Sequence, residues 1–264
     1  MGPRLARRIT CPKTAPVKTY RADLHVHTVL SPCAQVEMIP PLIVREALDL
    51  GIQLIAVTDH NATANIQAVM KAAQDTELIV LPGMELQTRE EVHLLCLFDT
   101  LDQTFAFQTI VDAHLPNIPN NPDFFGEQFV VDETGDFIRS EERLLLSSAD
   151  LSFEQAWAQV DQLGGILIPA HVNRKSFGLL EILGFVPVEV PVDALEISRH
   201  ITPQKARETF PQIAAYPLIQ NGDVHGLDGF LGTSHYTLAA PTIAEIRKAV
   251  QNLEGRSVRI APIP

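Results

Sequence analysis

Short apolar runs alternate with helix-like segments along most of the chain. Runs such as ADLHV (22–26) and IQLIAVTD (52–59) predict buried strands, and the segments 37–51 and 61–74 have the apolar periodicity of helices. Because repeated strand-then-helix units build a mostly parallel sheet or barrel, the pattern predicts an α/β fold. Further strands are predicted at 77–86, 91–98, 166–171, 193–198 and 216–225, and further helices at 100–115, 152–165 and 241–251.

Residues 116–150 interrupt this alternation. The segment 127–146 has two extended stretches around the turn ETGD (133–136), which predicts a hairpin. We therefore expect a loop and hairpin insertion, or lid, at 116–150 on a single domain that spans residues 1–264. Directly after the insertion, Ser152 has the residue type and position of a helix N-cap.

The composition is that of an ordinary globular protein with an acidic surface. Of the 264 residues, 46% are hydrophobic, and 20 basic residues against 32 acidic ones give a net charge of −12. This charge opposes binding to long nucleic acids and anionic membranes. Three cysteines far apart, Cys11, Cys33 and Cys96, form no disulfide framework. Residues 1–19 are basic and lack the apolar stretch of a secretion signal, so we predict a loose tail and a cytoplasmic protein.

Metal-ligating residue types occur at the ends of the predicted strands. Barrels bring the carboxyl ends of their strands to one mouth, so we expect these side chains to converge. Six of the nine histidines are among them, and together with carboxylates they suit Zn²⁺, Mn²⁺ or Fe²⁺. One tetrahedral site needs fewer ligands, so we predict two or three divalent metal ions. The residues are His25, His27, Asp59, His60, Glu85, His93, His171, Asp223 and His225.

Two aspartates close to these positions are our candidate catalytic residues. His25 and His27 are two apart on a strand, so they point the same way and can chelate one ion. Asp23 shares their side of the strand and is expected to orient a ligand from behind. Asp59 precedes His60, and we expect it to orient that imidazole or to move a proton.

Several ordered motifs resemble those of the PHP family, which is named for polymerase and histidinol phosphatase. They are DLHVHTVLSPC (23–33), VTDHN (57–61), GMELQT (83–88) with VHLLCLF (92–98), IPAHVNR (168–174) and NGDVH (221–225). The resemblance covers about residues 20–240, most of the chain. It implies a distorted, TIM-like (β/α)7 barrel whose mouth holds up to three metals, and it is nearest to the stand-alone phosphoesterase branch.

The resemblance also implies how the ligands divide among three sites, of which the first two share the carboxylate of Glu85. The first site would use His25, His27, Glu85 and Asp223; the second Glu85, His93 and His171; the third His60 and His225. Many family members complete the third site with a histidine where this chain has Cys33. A thiolate is a good ligand for Zn²⁺, so we include Cys33 among the candidate ligands.

The function that this resemblance implies is metal-dependent hydrolysis of a phosphate ester. A hydroxide bridging two metals would attack the phosphorus of a small phosphorylated metabolite or a nucleotide. Arg174, Arg199 and His200 follow predicted strands and are our candidate substrate contacts. The sequence has neither a GxSxG elbow nor a GKT/GKS P-loop. Three alternatives stay open: an end-acting exonuclease or nucleotide phosphodiesterase, an amidohydrolase-like enzyme, and a barrel that binds metal without catalysis.

Overall fold

The structure is a computed structural model that describes residues 16–262. The strands are β1 Lys18–Val26, β2 Leu54–Val57, β3 Ile79–Gln87, β4 His93–Leu97, β5 Phe129–Val131, β6 Phe137–Ser140, β7 Ile166–Pro169, β8 Leu195–Ile197, β9 Leu218–Gln220, β10 Ser234–Leu238 and β11 Ser257–Ile260. The helices are α1 Pro40–Asp49, α2 Ile66–Ala72, α3 Leu101–His114, α4 Pro122–Phe125, α5 Phe153–Gln162, α6 Leu179–Ile182, α7 Pro203–Thr209 and α8 Ile243–Val250. Among these described helices, none combines the length and apolar character that crossing a bilayer requires.

The α/β fold is organised around a curled seven-stranded sheet with the order β11-β10-β1-β2-β3-β4-β7. The central pairs β1–β2 and β2–β3 are parallel, whereas β3–β4, β4–β7, β1–β10 and β10–β11 are antiparallel. The expectation of a mostly parallel sheet was therefore wrong, because β4 returns directly from β3 without a helix between them. A separate parallel pair, β8–β9, contacts β7 on one side and β11 on the other, so it lies across the gap between the sheet edges.

Helix α1 illustrates how the sequence pattern positions the elements. Pro40 begins the helix, where its missing N–H costs nothing, and Gly51 follows its end with φ +68, a conformation that favours glycine. On the inner face of the helix, Ile43 and Ala47 are buried in one cluster with Val57 of β2. Packing against the sheet fixes the connection from β1 to β2, which begins with His27.

Ser152 caps helix α5 as predicted. Its hydroxyl accepts a hydrogen bond from the backbone N–H of Gln155 at 3.2 Å, and the Gln155 side chain accepts from the Ser152 N–H. We expect Ser152→Ala to lower the free energy of unfolding by about 1 kcal/mol, measured by urea titration. Ser152→Thr retains an acceptor oxygen and should cost less; equal stability of Ser152→Ala and wild type would contradict this account.

The structure confirms the predicted hairpin and corrects the chain ends. Strands β5 and β6 pair antiparallel within the insertion. Strand β1 begins at Lys18, so the last two residues of the predicted tail belong to the sheet, while residues 1–15, with Cys11, lie outside the described part. Strands β10 and β11 were not predicted, although β10 buries alternate residues and this period of two was legible in SHYTL.

Candidate metal centre

Strand ends and the loops that follow them bring the predicted ligands together. His25 lies in β1, Glu85 in β3 and His93 at the start of β4, while His171 and Asp223 follow β7 and β9. His171 and Asp223 have positive φ values of 29° and 51°, which non-glycine residues adopt rarely. Strained backbone at these two candidate ligands indicates that the surrounding fold fixes the orientation of their side chains.

The potential ligand atoms form three overlapping groups among the described residues. In each group the ligand atoms lie within 4.8 Å of one another, close enough to surround a cation. The groups are His25, His27, Glu85 and Asp223; His60, Glu85 and His93; and His27, His60 and His225. Because the groups share members, the arrangement suits several ions side by side.

The carboxylate of Glu85 is the hub of this arrangement. Five imidazole nitrogens lie within 3.3 Å of its two oxygens. On Oε1 they are His93 Nδ1 at 2.9 Å, His171 Nε2 at 3.1 Å and His25 Nε2 at 3.2 Å; on Oε2 they are His60 Nδ1 at 3.0 Å and His27 Nε2 at 3.3 Å. A carboxylate with both oxygens so placed can bridge two metal ions.

Unpartnered polar atoms test whether metal ions fit this site. Buried nitrogen or oxygen atoms seldom lack a hydrogen bond, because each such atom is costly. Five of them here have none within the described part of the chain, even though ion-pair distances to Glu85 are short: His25 Nε2, His27 Nε2, His60 Nδ1, His171 Nδ1 and Glu85 Oε2. Three of these atoms, His25 Nε2, His27 Nε2 and His60 Nδ1, face the Glu85 carboxylate at 3.2, 3.3 and 3.0 Å, so the residues fit a group of divalent cations.

Metal binding requires neutral imidazoles and ionised carboxylates, and the pKa shifts of His60, His225 and Glu85 suit this requirement. Burial lowers the pKa of His60 to about 4. Burial, together with the nearby His27, lowers the pKa of His225 to about 3. Burial alone would raise the pKa of Glu85, but His93, His25 and His60 hold it well below its ordinary value. At neutral pH, His60 and His225 therefore offer lone pairs and Glu85 offers a negative charge. Burial alone would lower the pKa of His25 and His27, but Glu85 and Asp223 raise both, so a metal ion competes with protons at these two imidazoles.

A second layer of hydrogen bonds orients the first two histidines. His25 Nδ1 lies 3.1 Å from Glu196 Oε2, and Glu196 also accepts from the Asn221 side chain at 3.2 Å. His27 Nδ1 lies 2.9 Å from the hydroxyl of Ser31. Each imidazole thus has its other nitrogen free to face the cluster, which is the usual arrangement behind a metal-bound histidine.

Asp59 lies behind His27 rather than in the cluster. Its oxygens accept from the Ser31 hydroxyl at 2.7 Å, the Thr28 N–H at 2.7 Å and the Thr28 hydroxyl at 2.8 Å. The Ser31 hydroxyl is shared with the backbone N–H of His60 at 3.2 Å. Asp59 therefore fixes the loop after β1 and reaches the ligand histidines only through Ser31.

Asp23 lies beneath the cluster and faces backbone amides. Its carboxylate accepts from the N–H groups of Gly222 and Leu231 at 2.9 Å and Gly232 at 3.3 Å. Burial raises its pKa to about 6 despite these bonds. This carboxylate ties β1 to the loop that follows β9, which carries Asp223.

Cys33 and the candidate substrate residues lie around the mouth. A cavity of about 380 Å³ over the cluster is lined by Cys33 and Arg174, and a second of about 240 Å³ shares Arg174 and adds Arg199 and His200. Cys33 is exposed at the mouth and belongs to none of the three groups of ligand atoms. Arg174 forms an ion pair with Asp223.

Three contributors at the site were missed from the sequence. Glu196 had a legible signal, because an acidic residue within the apolar run ALEIS needs a buried partner. Gln87, whose Oε1 lies 3.3 Å from His93 Nε2, had none. Phe177, which lines the larger cavity, likewise had none, since only the folded loop after β7 brings it there.

The buried Glu196 gives a prediction about metal affinity. Glu196→Gln keeps the size of the side chain but removes the charge that polarises His25, so we expect metal affinity to fall by about 10–100-fold. Competition with a chromophoric chelator measures this change. Glu77→Gln, at an exposed position, is the matched control; equal affinities of the two variants would refute the role of Glu196.

Sequence comparisons identify a known family. The family model described as PHP domain matches residues 23–158, more than half of the chain. No curated protein sequence matches the chain at a significant level.

Solved structures share the fold. The lesion-specific endonuclease PfuEndoQ from Pyrococcus furiosus aligns with a TM-score of 0.67 and 20% identity, over 91% of this chain and 58% of the endonuclease, so the chain spans little more than half of that protein. Endonuclease Q in complex with a 27-mer duplex containing an abasic lesion aligns with a TM-score of 0.66 and 19% identity, over the same shares of the two chains. A protein from Bifidobacterium adolescentis, assigned as a metal-dependent phosphoesterase, aligns with a TM-score of 0.52 and 19% identity over 84% of this chain and 89% of its own.

Proposed function

The chain belongs to the PHP family, whose members are metal-dependent hydrolases, and on that premise we propose that it hydrolyses a phosphate ester of a small metabolite or nucleotide. The observation that carries the proposal is the Glu85 hub with its five surrounding imidazoles, which opens into a cavity of about 380 Å³. That volume suits a small molecule. We further propose that the curled sheet and β8–β9 are a distorted (β/α)7 barrel.

The cluster would hold two or three divalent ions, of Zn²⁺, Mn²⁺ or Fe²⁺. When bound, such ions would lower the pKa of a water molecule towards neutrality and neutralise charge on the phosphate oxygens. Glu85 supplies the shared carboxylate. Glu196 fixes the orientation of His25, and Ser31 fixes that of His27. The protein's part is a preorganised set of charges, which needs no rearrangement during the reaction.

Arg174 is the residue best suited to bind the phosphate. It lines both cavities, and its guanidinium can meet two phosphate oxygens at once. Arg199 and His200 line the smaller cavity, where Arg199 donates to the carbonyl of Gly229 at 2.8 Å. The two arginines would offset the negative charge that Glu85 and Asp223 bring to the mouth.

The insertion limits the size of the substrate. Leu146 lines the larger cavity, and Asn61 donates hydrogen bonds to the carbonyls of Leu145 and Ser147 at 2.8 and 2.9 Å. Because Asn61 directly follows His60, this part of the insertion is fastened to the ligand-bearing loop. We propose that residues 116–150 act as a fixed wall of the substrate cavity within one domain.

A phosphodiesterase acting on DNA is the second candidate. The similarity to endonuclease Q, whose complex contains a duplex with an abasic lesion, supports it. The net charge of −12 counts against extensive phosphate contacts. We therefore rank a small phosphate ester first.

Phosphate release from monoesters, together with cleavage of bis(nitrophenyl) phosphate and of an abasic duplex, tests the proposal. Each assay is run after chelation and after adding back Zn²⁺ or Mn²⁺, and bound metal is measured by elemental analysis. We expect metal-dependent monoester hydrolysis with two or three ions per chain. Cleavage of the duplex alone would favour the second candidate, and full metal occupancy without cleavage of any substrate would contradict both.

A further inference from the structure

Phe177 has a backbone conformation that a bulky side chain rarely adopts. Its φ is 59°, in the left-handed region that favours glycine. Phe177 is half-buried, belongs to the loop between β7 and α6, and lines the cavity above the metal ligands. Strain of this kind persists where the surrounding structure enforces it, and at the edge of a site it points to function.

The fold around Phe177 enforces this conformation. The carbonyl oxygen of Phe177 accepts from the backbone N–H of His93 at 3.1 Å, which ties the loop to β4. Gly178 packs directly on the backbone of Arg174, where no Cβ would fit, and the Arg174 N–H donates to the His171 carbonyl at 2.9 Å. The loop is thus closed on itself and presents Phe177 to the same cavity as Arg174.

The ring of Phe177 is already part of a stack. It lies parallel to the imidazole of His93, with the ring centroids 4.4 Å apart and the planes at 10°. Leu146 adds a second apolar contribution to a cavity whose remaining lining is largely ligands and charged groups. The cavity therefore has an apolar, aromatic part next to the arginine that is suited to phosphate.

We propose that Phe177 is a specificity-determining residue that binds a planar aromatic group in the organic part of the phosphate ester. This inference rests on the proposed function and narrows its substrate class. With the phosphate held by Arg174, three residues away in the same loop, an aromatic group attached to the ester would lie against Phe177. A side chain of fixed direction loses little freedom on binding, and aromatic faces attract one another.

Adenosine 5′-monophosphate and ribose 5-phosphate form a matched pair of substrates, because only the first carries an aromatic base. We expect Phe177→Leu to lower kcat/KM for the nucleotide about 10-fold more than for ribose 5-phosphate, mainly through KM. Phe177→Tyr keeps the ring and should resemble wild type. Phe185→Leu, at an exposed phenylalanine outside the cavity, is the control.

Calorimetric binding of adenosine, which carries no phosphate, gives a second measurement that does not depend on catalysis. We expect wild type and Phe177→Tyr to bind adenosine and Phe177→Leu to bind it about 10-fold more weakly. Equal losses on both phosphate esters together with a lower metal content would show that Phe177 merely supports His93, and would overturn the proposal.

The wild-type protein alone also tests the inference, even if Phe177→Leu does not fold. Hydrolysis of both esters with the same kcat/KM and no binding of adenosine would overturn the aromatic preference while the phosphoesterase function stands. Binding of adenosine without hydrolysis of any ester would sink the phosphoesterase proposal and retain the aromatic site.

Discussion

Glu85→Gln should lower phosphate ester hydrolysis by about 10³-fold and reduce the number of metal ions bound per chain. Both oxygens of Glu85 face imidazole ligands, at 2.9 Å from His93 and 3.0 Å from His60, so one substitution affects two of the three groups of ligand atoms. Glutamine keeps the shape but replaces one acceptor oxygen by an NH₂ group and removes the charge. Kinetics at saturating metal and elemental analysis measure the two effects.

A glutamate outside the site provides the control for this experiment. Glu77 is exposed, so Glu77→Gln changes the net charge by the same amount without touching a ligand. Circular dichroism should show that both variants keep the fold. If Glu85→Gln retained wild-type metal content and activity, Glu85 would not be a bridging ligand, and the hub that carries the proposed function would be lost.

Much of the metal centre was predictable because its residues lie at strand ends, which the apolar pattern locates. His25 and Asp223 end or follow predicted strands, and the structure brings both into one cluster with Glu85. His93 instead begins β4 and reaches the same edge because β4 runs antiparallel to β3. The period of the apolar residues thus predicted both the elements and the edge at which their ends converge.

The supporting residues were less predictable because their roles depend on contacts that are distant in sequence. Glu196 reaches His25 from 171 positions away, and Asp23 accepts from amides 199 to 209 positions away. Asp23 lies two residues before His25 on β1, so its side chain was expected on the same face of the strand. This spacing does not show which backbone amides its carboxylate meets. Phe177 depends in the same way on the closure of its loop.

The sheet order shows a second limit of local patterns. Strand β4 was predicted from its apolar run, but its antiparallel direction depends on the tight return from β3, and the run itself is equally apolar in either direction. Strand β10 had a legible period of two and was missed, whereas β11 is short and partly exposed. The place of β10 is set by pairing with β1, and that of β11 by pairing with β10. A sequence shows which strands are buried on both faces, because these strands are apolar throughout. It does not show which strands pair with each other.

Asp23→Ala should cause the largest loss of stability among the substitutions considered, roughly 3–5 kcal/mol in the free energy of unfolding. The carboxylate is fully buried and accepts from three backbone N–H groups, of Gly222, Leu231 and Gly232. Alanine leaves these donors without their acceptor in the protein interior. Urea unfolding at pH 5 and pH 8 measures the change; since burial raises the pKa of Asp23 to about 6, the folded state disfavours the ionised carboxylate, and the loss should be smaller at pH 8.

Activity separates this anchoring role from a catalytic one. The loop held by Asp23 carries Asp223 and His225, so Asp23→Ala should weaken metal binding as well as stability, and added metal should restore part of the activity. Asp228→Ala, at an exposed aspartate in the same loop, should change neither property. A variant at Asp23 that kept wild-type stability and metal affinity but lost kcat would instead indicate that this carboxylate takes part in proton transfer, because only the reaction step would then depend on it.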